Sequence, residues 1–175
     1  KCYTVCTYRI DGVREMSKGE LSQTELLAFA RHDFLNDLQI ILMHLDLGNP
    51  AEARNAIFKT TKAMGQRSLL SGFGLPKVQQ WLLTFDWVYT AFRSTLTCSI
   101  RKANRSVSDD TLVAYLEAIF NEVEEVLDPL SDYDVHFDIF ADEKEWSITI
   151  TIKGELHETK KKRISTDNVN IVEMI

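Results

Sequence analysis

The chain has 175 residues, 45% of them hydrophobic and 26% charged, with a formal net charge of −6. That composition fits one or two small globular domains with a core of ordinary size. The acidic balance argues against nucleic acid as a direct partner, and no apolar run reaches the roughly 18–20 residues that span a bilayer.

Three cysteines, Cys2, Cys6 and Cys98, form no Cys-x-x-Cys pair and no zinc-like cluster with histidine. They read as free thiols of a reducing compartment. The opening residues Lys1-Cys2-Tyr3-Thr4-Val5-Cys6 lack a leader pattern, so a cytoplasmic protein is expected, with no membrane partner.

Residues 1–20 give no assignable pattern. A helix is predicted from near Leu21, because Ser22 followed by Glu25 is a capping-box signature. Leu27, Phe34 and Ile41 recur every seven residues, interleaved with Leu38 and Leu45, as in a coiled-coil seam. Phe29, Ala30, Leu35, Ile40, Leu42 and Met43 spread further apolar surface round the cylinder. Such a helix needs cover on more than one side. Gly48 stands where it stops. Asn49 and Pro50 then read as N-cap and first residue of a second helix, running to about Ser71. Its apolar side holds Ala53, Ala56, Ile57, Ala63, Met64 and Leu70. So short a connection folds the two helices into an antiparallel hairpin. The apolar surface left over is most simply covered by a second copy of the chain, giving a homodimer with a four-helix bundle.

Gly72-Phe73-Gly74-Leu75-Pro76 marks a domain boundary. It divides the chain into an unassigned segment 1–20, a helical hairpin 21–72 and a second domain 76–175. Residues 77–92 read as a helix with Trp81, Leu82, Phe85 and Val88 on its buried face. Leu96, Cys98 and Ile100 alternate as in a strand. Residues 109–127 read as a helix through Leu112, Leu116, Ile119, Phe120, Val123 and Leu127. Val135, Phe137 and Ile139 mark another strand, and Trp146, Ile148, Ile150 and Ile152 share one face of the clearest strand of all. The run Lys160-Lys161-Lys162-Arg163 reads as a solvated tail, and Val169-Asn170-Ile171-Val172 as an added edge strand. The fold class is therefore α+β: a helical hairpin, then a small α/β sandwich with one sheet face under helices.

The residues with most to say about chemistry lie inside the first helix, in Arg31-His32-Asp33-Phe34-Leu35-Asn36-Asp37-Leu38-Gln39. An imidazole near neutral pH keeps one ring nitrogen free to attack phosphorus. Phosphoryl transfer needs alignment and charge stabilisation more than covalent help, and a helix supplies the alignment. Leu35 and Asn36 neighbour His32 at the three- and four-residue spacings. Asn36 can hydrogen-bond the transferring group, Arg31 can offset its charge, and Asp33 can fix the imidazole tautomer. Leu35 and Gln39 extend the same docking face. A lone helical histidine is more often a packed or surface residue than a nucleophile. His44, about 120° round the helix from His32 and flanked by Met43 and Leu45, reads as structural. His136 and His157 have no catalytic neighbourhood.

The stretch from Leu26 through Arg31-His32-Asp33-Phe34-Leu35-Asn36 to Ile41 resembles the phosphoacceptor helix of the sporulation initiation phosphotransferase B family. The same Arg-His-Asp-aromatic-x-Asn core occurs in the related citrate- and dicarboxylate-sensing histidine kinases. The likeness runs over roughly residues 21–155. It implies a phosphorelay phosphotransferase with a degenerate kinase-like ATPase domain. His32 would accept a phosphoryl group from the aspartyl phosphate of one response regulator and pass it to a second that controls sporulation. Magnesium would then sit in the regulators' acidic pockets, with no cofactor on this chain.

A kinase of that group needs paired asparagines on a helix, then Asp-x-Gly-x-Gly after a strand. Here the helix reads Asn121-Glu122-Val123-Glu124-Glu125, with a carboxylate that repels a triphosphate where the second asparagine belongs. Lys153-Gly154-Glu155-Leu156 lacks the aspartate and the second glycine, and Gly154 is the last glycine after Gly74, so no glycine-rich phosphate cradle is expected. Two rival readings are a sensor histidine kinase fragment with a divergent nucleotide site and a non-catalytic dimer that binds regulators.

Overall fold

The computed structural model describes residues 21–101, 107–125, 127–128, 131–143 and 145–153, and the backbone of 165–166 and 169–174. Helix α1 spans Gln23–Asp46 and α2 spans Pro50–Leu69. The capping box at the start of α1 is present. Ser22 Oγ accepts the Glu25 N–H at 3.3 Å and the Glu25 carboxylate accepts the Ser22 N–H at 2.9 Å. Gly48 ends the helix at φ 72, a left-handed turn that suits a residue without Cβ. Asn49 holds the N-cap position of α2, but its side chain makes no capping bond. Beyond Leu69 the chain tightens into a 3-10 turn over Leu70–Gly72.

Helix α3 spans Pro76–Val88, β1 Phe92–Ile100, α4 Asp109–Glu124, β2 Tyr133–Ala141 and β3 Trp146–Lys153. Two short strands follow, β4 at Ser165–Thr166 and β5 at Val169–Met174. The five strands lie in the order β1-β2-β3-β5-β4, with β1–β2 and β3–β5 parallel and the other pairs antiparallel. Parallel neighbours need a crossover, and α4 is the crossover between β1 and β2.

One sheet face is packed. Val135, Phe137 and Ile139 of β2 and Ile148, Ile150 and Ile152 of β3 meet Val78, Trp81, Leu82 and Phe85 of α3 and Leu112, Leu116, Ile119 and Phe120 of α4. Aromatic rings fill the middle: Phe85 lies 4.7 Å from Phe120 and 5.0 Å from Phe137, both edge to face. The alternate residues Asp134, Asp138 and Phe140 of β2 face outward. Asp109, the first residue of α4, caps α3. Its two carboxylate oxygens accept the Lys77 and Val78 N–H groups at 2.7 and 2.9 Å, on the positive end of that helix.

Three sequence expectations need correction. The helix read over 77–92 ends at Val88, and Phe92 opens a strand. Tyr89 and Phe92 both bury in the core that the helix faces, so their three-residue spacing imitates helical periodicity. The helix read over 109–127 ends at Glu124, with Leu127 packed on the core beyond it. The strand at Val169 is not the sheet edge, because β4 pairs with it on the outer side.

The hairpin is bare by comparison. No residue of α1 is buried, and Ala53 is the one buried residue of α2. Leu70 and Phe73, just past α2, enter the core of the sheet layer. Of the apolar side expected for α2, Ile57 and Met64 stand 50% and 45% exposed.

Candidate functional site

His32 sits near the middle of α1 with its side chain 76% exposed. The seam residues Leu27, Phe34, Leu38 and Leu45 also face solvent. By the 3.6-residue period the ring projects roughly 140–160° away from Leu27 and Phe34. A protein covering that seam would therefore leave the imidazole open. Helical spacing sorts its neighbours. Leu35, Asn36 and Gln39 share its side of α1, and all three are exposed. Arg31 is exposed but lies a quarter-turn away, toward the seam, so it does not stand beside the ring.

Asp33 is the residue that the fold engages. One carboxylate oxygen lies 3.6 Å from Nδ1 of His32. The other accepts the indole N–H of Trp87 at 2.9 Å, across from α3. Phe29, one turn before Asp33, stacks on the same indole with ring centroids 5.4 Å apart and planes 19° apart. The sequence reading passed over Trp87. A tryptophan at the end of a helix reads as core, and its partners lie 54 residues earlier in the chain.

His44 belongs to a different place. It lines a cleft of about 270 Å³ between the two hairpin helices, with Asp37, Ile40, Glu52, Asn55 and Lys59. His136 Nδ1 pairs with the Thr95 hydroxyl at 2.9 Å in the sheet. Among the described residues no three of His, Cys, Asp and Glu stand together as metal ligands. No described helix is long and apolar enough to cross a membrane.

Residues 16–72 match the family model described as Sensor_kinase_SpoOB-type, alpha-helical domain; residues 16–20 of the match lie outside the described ones. Over these residues the helical hairpin is similar to that SpoOB-type domain. A search of curated proteins found no match.

The SpoOB-type match covers α1, α2 and the turn at Leu70–Gly72, and stops where the sheet layer begins. His32 lies within the matched residues, while α3, α4 and the sheet lie outside them. In that outer part, Asn121 and Glu125 stand at the C-terminal end of α4. The segment Gly154-Glu155-Leu156, read above as a failed phosphate loop, lies outside the described residues, as do Cys2, Cys6, His157 and the basic run at 160–163.

Proposed function

We propose that this protein is a phosphorelay phosphotransferase that carries the phosphoryl group on His32. The observation that carries the reading is the placement of His32 at 76% exposure, facing away from the apolar seam of a SpoOB-type hairpin. Nδ1 faces Asp33, which leaves Nε2 directed outward as the nucleophile. Its lone pair attacks the phosphorus of a regulator's aspartyl phosphate. The N–P bond forms as the acyl phosphate P–O bond breaks, and its electrons return to the aspartate carboxylate. The second transfer reverses these bonds on the aspartate of another regulator, one that controls sporulation. Magnesium belongs to the regulators' acidic pockets.

The working unit is a homodimer. Leu27, Phe34, Leu38 and Leu45 of α1 are 71%, 51%, 45% and 52% exposed, an apolar stripe at heptad-like spacing, and Ile57 and Met64 of α2 are exposed as well. A stripe of that length on a single chain is a surface for association. Two copies pairing along it make a four-helix bundle with both His32 rings outside. Leu35, Asn36 and Gln39 supply the regulator's footing beside each ring, and Arg31 supplies positive charge at its rim.

The sensor-kinase wording of the family description favours a second reading, a histidine kinase with its own nucleotide site in the α/β layer. Two incubations separate them. Labelled ATP alone is expected to leave the protein unlabelled. A panel of phosphorylated regulators is expected to transfer an acid-labile, base-stable phosphate to wild type and none to His32→Ala. Labelling from ATP alone would establish the kinase, and a His32→Ala protein that still takes phosphate from a regulator would refute the role of His32.

A further inference from the structure

Trp87 is part of the α/β layer, one residue before the end of α3, yet its ring and its polar atom both engage α1. Phe29 and Asp33 are four residues apart, so they stand one above the other on the same side of that helix. The indole stacks on the first and donates to the second. Its own base is fixed from several sides. Asp86 accepts the Ser94 N–H of β1 at 2.8 Å and faces Arg67 of α2 at 3.6 Å, and Phe85 is sealed in the core. The indole is thus a stiff arm reaching from the sheet layer to the phosphoacceptor helix. Apolar contact alone would tie the two together. The hydrogen bond goes instead to the carboxylate adjacent to His32, whose other oxygen lies 3.6 Å from the imidazole.

We propose that Trp87 is a positioning residue for phosphoryl transfer at His32, acting through Asp33. The assignment rests on the phosphoacceptor reading. Nε2 can attack phosphorus only when it carries the lone pair, so the ring proton must sit on Nδ1. A carboxylate held beside Nδ1 favours that tautomer. Asp33 is half exposed and would otherwise sample several rotamers. Trp87 fixes one of them, and Phe29 fixes Trp87. As the N–P bond forms the ring becomes an imidazolium, its Nδ1 proton facing the same carboxylate until solvent removes it.

The test uses the full chain and two variants. Trp87→Phe keeps an aromatic ring against Phe29 and removes the donor; Asp33→Ala removes the carboxylate. Ring nitrogen shifts of His32, read by NMR where the imidazole is neutral, report the tautomer. Both variants are expected to lose Nδ1–H population. Phosphoramidate then serves as a donor that needs no regulator: Nε2 attacks its phosphorus and ammonia leaves. The initial rate of His32 labelling is expected to fall about fivefold in Trp87→Phe, the worth of one hydrogen bond. The double variant should be no slower than Asp33→Ala alone, since the indole acts through that residue.

A labelled wild type whose tautomer and rate ignore Trp87→Phe overturns the assignment, as does full additivity in the double variant. A wild type that takes no label at His32 overturns the phosphoacceptor reading and the assignment with it. If Trp87→Phe loosens the fold, seen as lost shift dispersion, Asp33→Ala carries the test. An Asp33→Ala protein with wild-type tautomer and rate overturns the proposal by itself.

Discussion

The side-chain carbonyl of Gln66 accepts the backbone N–H of Cys98 at 2.6 Å, joining the second hairpin helix to the outer edge of the sheet. Strand β1 is bonded to β2 on one side, and α2 packs along it. An uncovered strand edge invites pairing with other chains, and a helix laid along it removes that hazard. Gln66→Ala leaves a part-buried N–H without its partner. Unfolding in urea should show a loss of about 1–3 kcal/mol, and a wild-type midpoint would mean that water replaces the amide at no cost.

The aromatic centre carries far more. Phe120 is fully buried and contacts Trp81, Phe85, Tyr89, Phe92 and Phe137. Phe120→Ala removes that ring from a packed core with little room to collapse, so a loss of about 3–5 kcal/mol is expected in denaturant titration. An effect below about 1 kcal/mol would show that α4 does not seal the sheet as described.

The exposed seam makes a prediction of the opposite kind. Leu38 is 45% exposed, so Leu38→Glu should leave the fold of one chain nearly unchanged. In a dimer it places two carboxylates in an apolar interface, raising the dissociation constant by roughly 100-fold. Sedimentation should report a wild-type dimer and a variant monomer at the same concentration. Equal masses for the two proteins would count against pairing through this stripe.

Alkaline pH should weaken the fold. Burial, with the Asp138 carboxylate adding to it, pushes the Cys98 thiol up to about 11 from an ordinary 9.0. Burial likewise pushes the Tyr89 phenol up to about 12 from 10.0. Both groups keep their protons in the folded state over a range where the unfolded chain loses them. Their contribution to stability is complete below the unfolded values and is lost as pH rises through the folded ones. The thermal unfolding temperature is therefore expected to drop progressively from pH 9 to about pH 12, and Cys98→Ala should flatten the first part of that fall. A pH-independent melting temperature over that interval would contradict the burial of both groups.

Much of this was legible from residue order. The Ser22–Glu25 box, the stop at Gly48 and the alternation of Ile148, Ile150 and Ile152 are local signals, and the structure follows each of them. The position of His32 opposite the seam also follows from helical period alone. Sequence could not separate Tyr89 and Phe92 from the helix before them, because a turn that buries two aromatics repeats the helical spacing. Nor could it show that the strand at Val169 lies inside the sheet, since strand order depends on pairing between distant segments.

Residue order determined the hairpin, the exposed imidazole and the alternating strands, because each arises from backbone periodicity within a few turns or residues. Helical period already set Trp81 on the buried face of α3, and the tertiary structure alone decided that Trp87 reaches across to Asp33. Both are tryptophans of one helix, six residues apart, and only the meeting of two layers gives Trp87 its partners. A hydrogen bond over 54 residues leaves no trace in local pattern, because its geometry exists only after the sheet layer has docked on the hairpin.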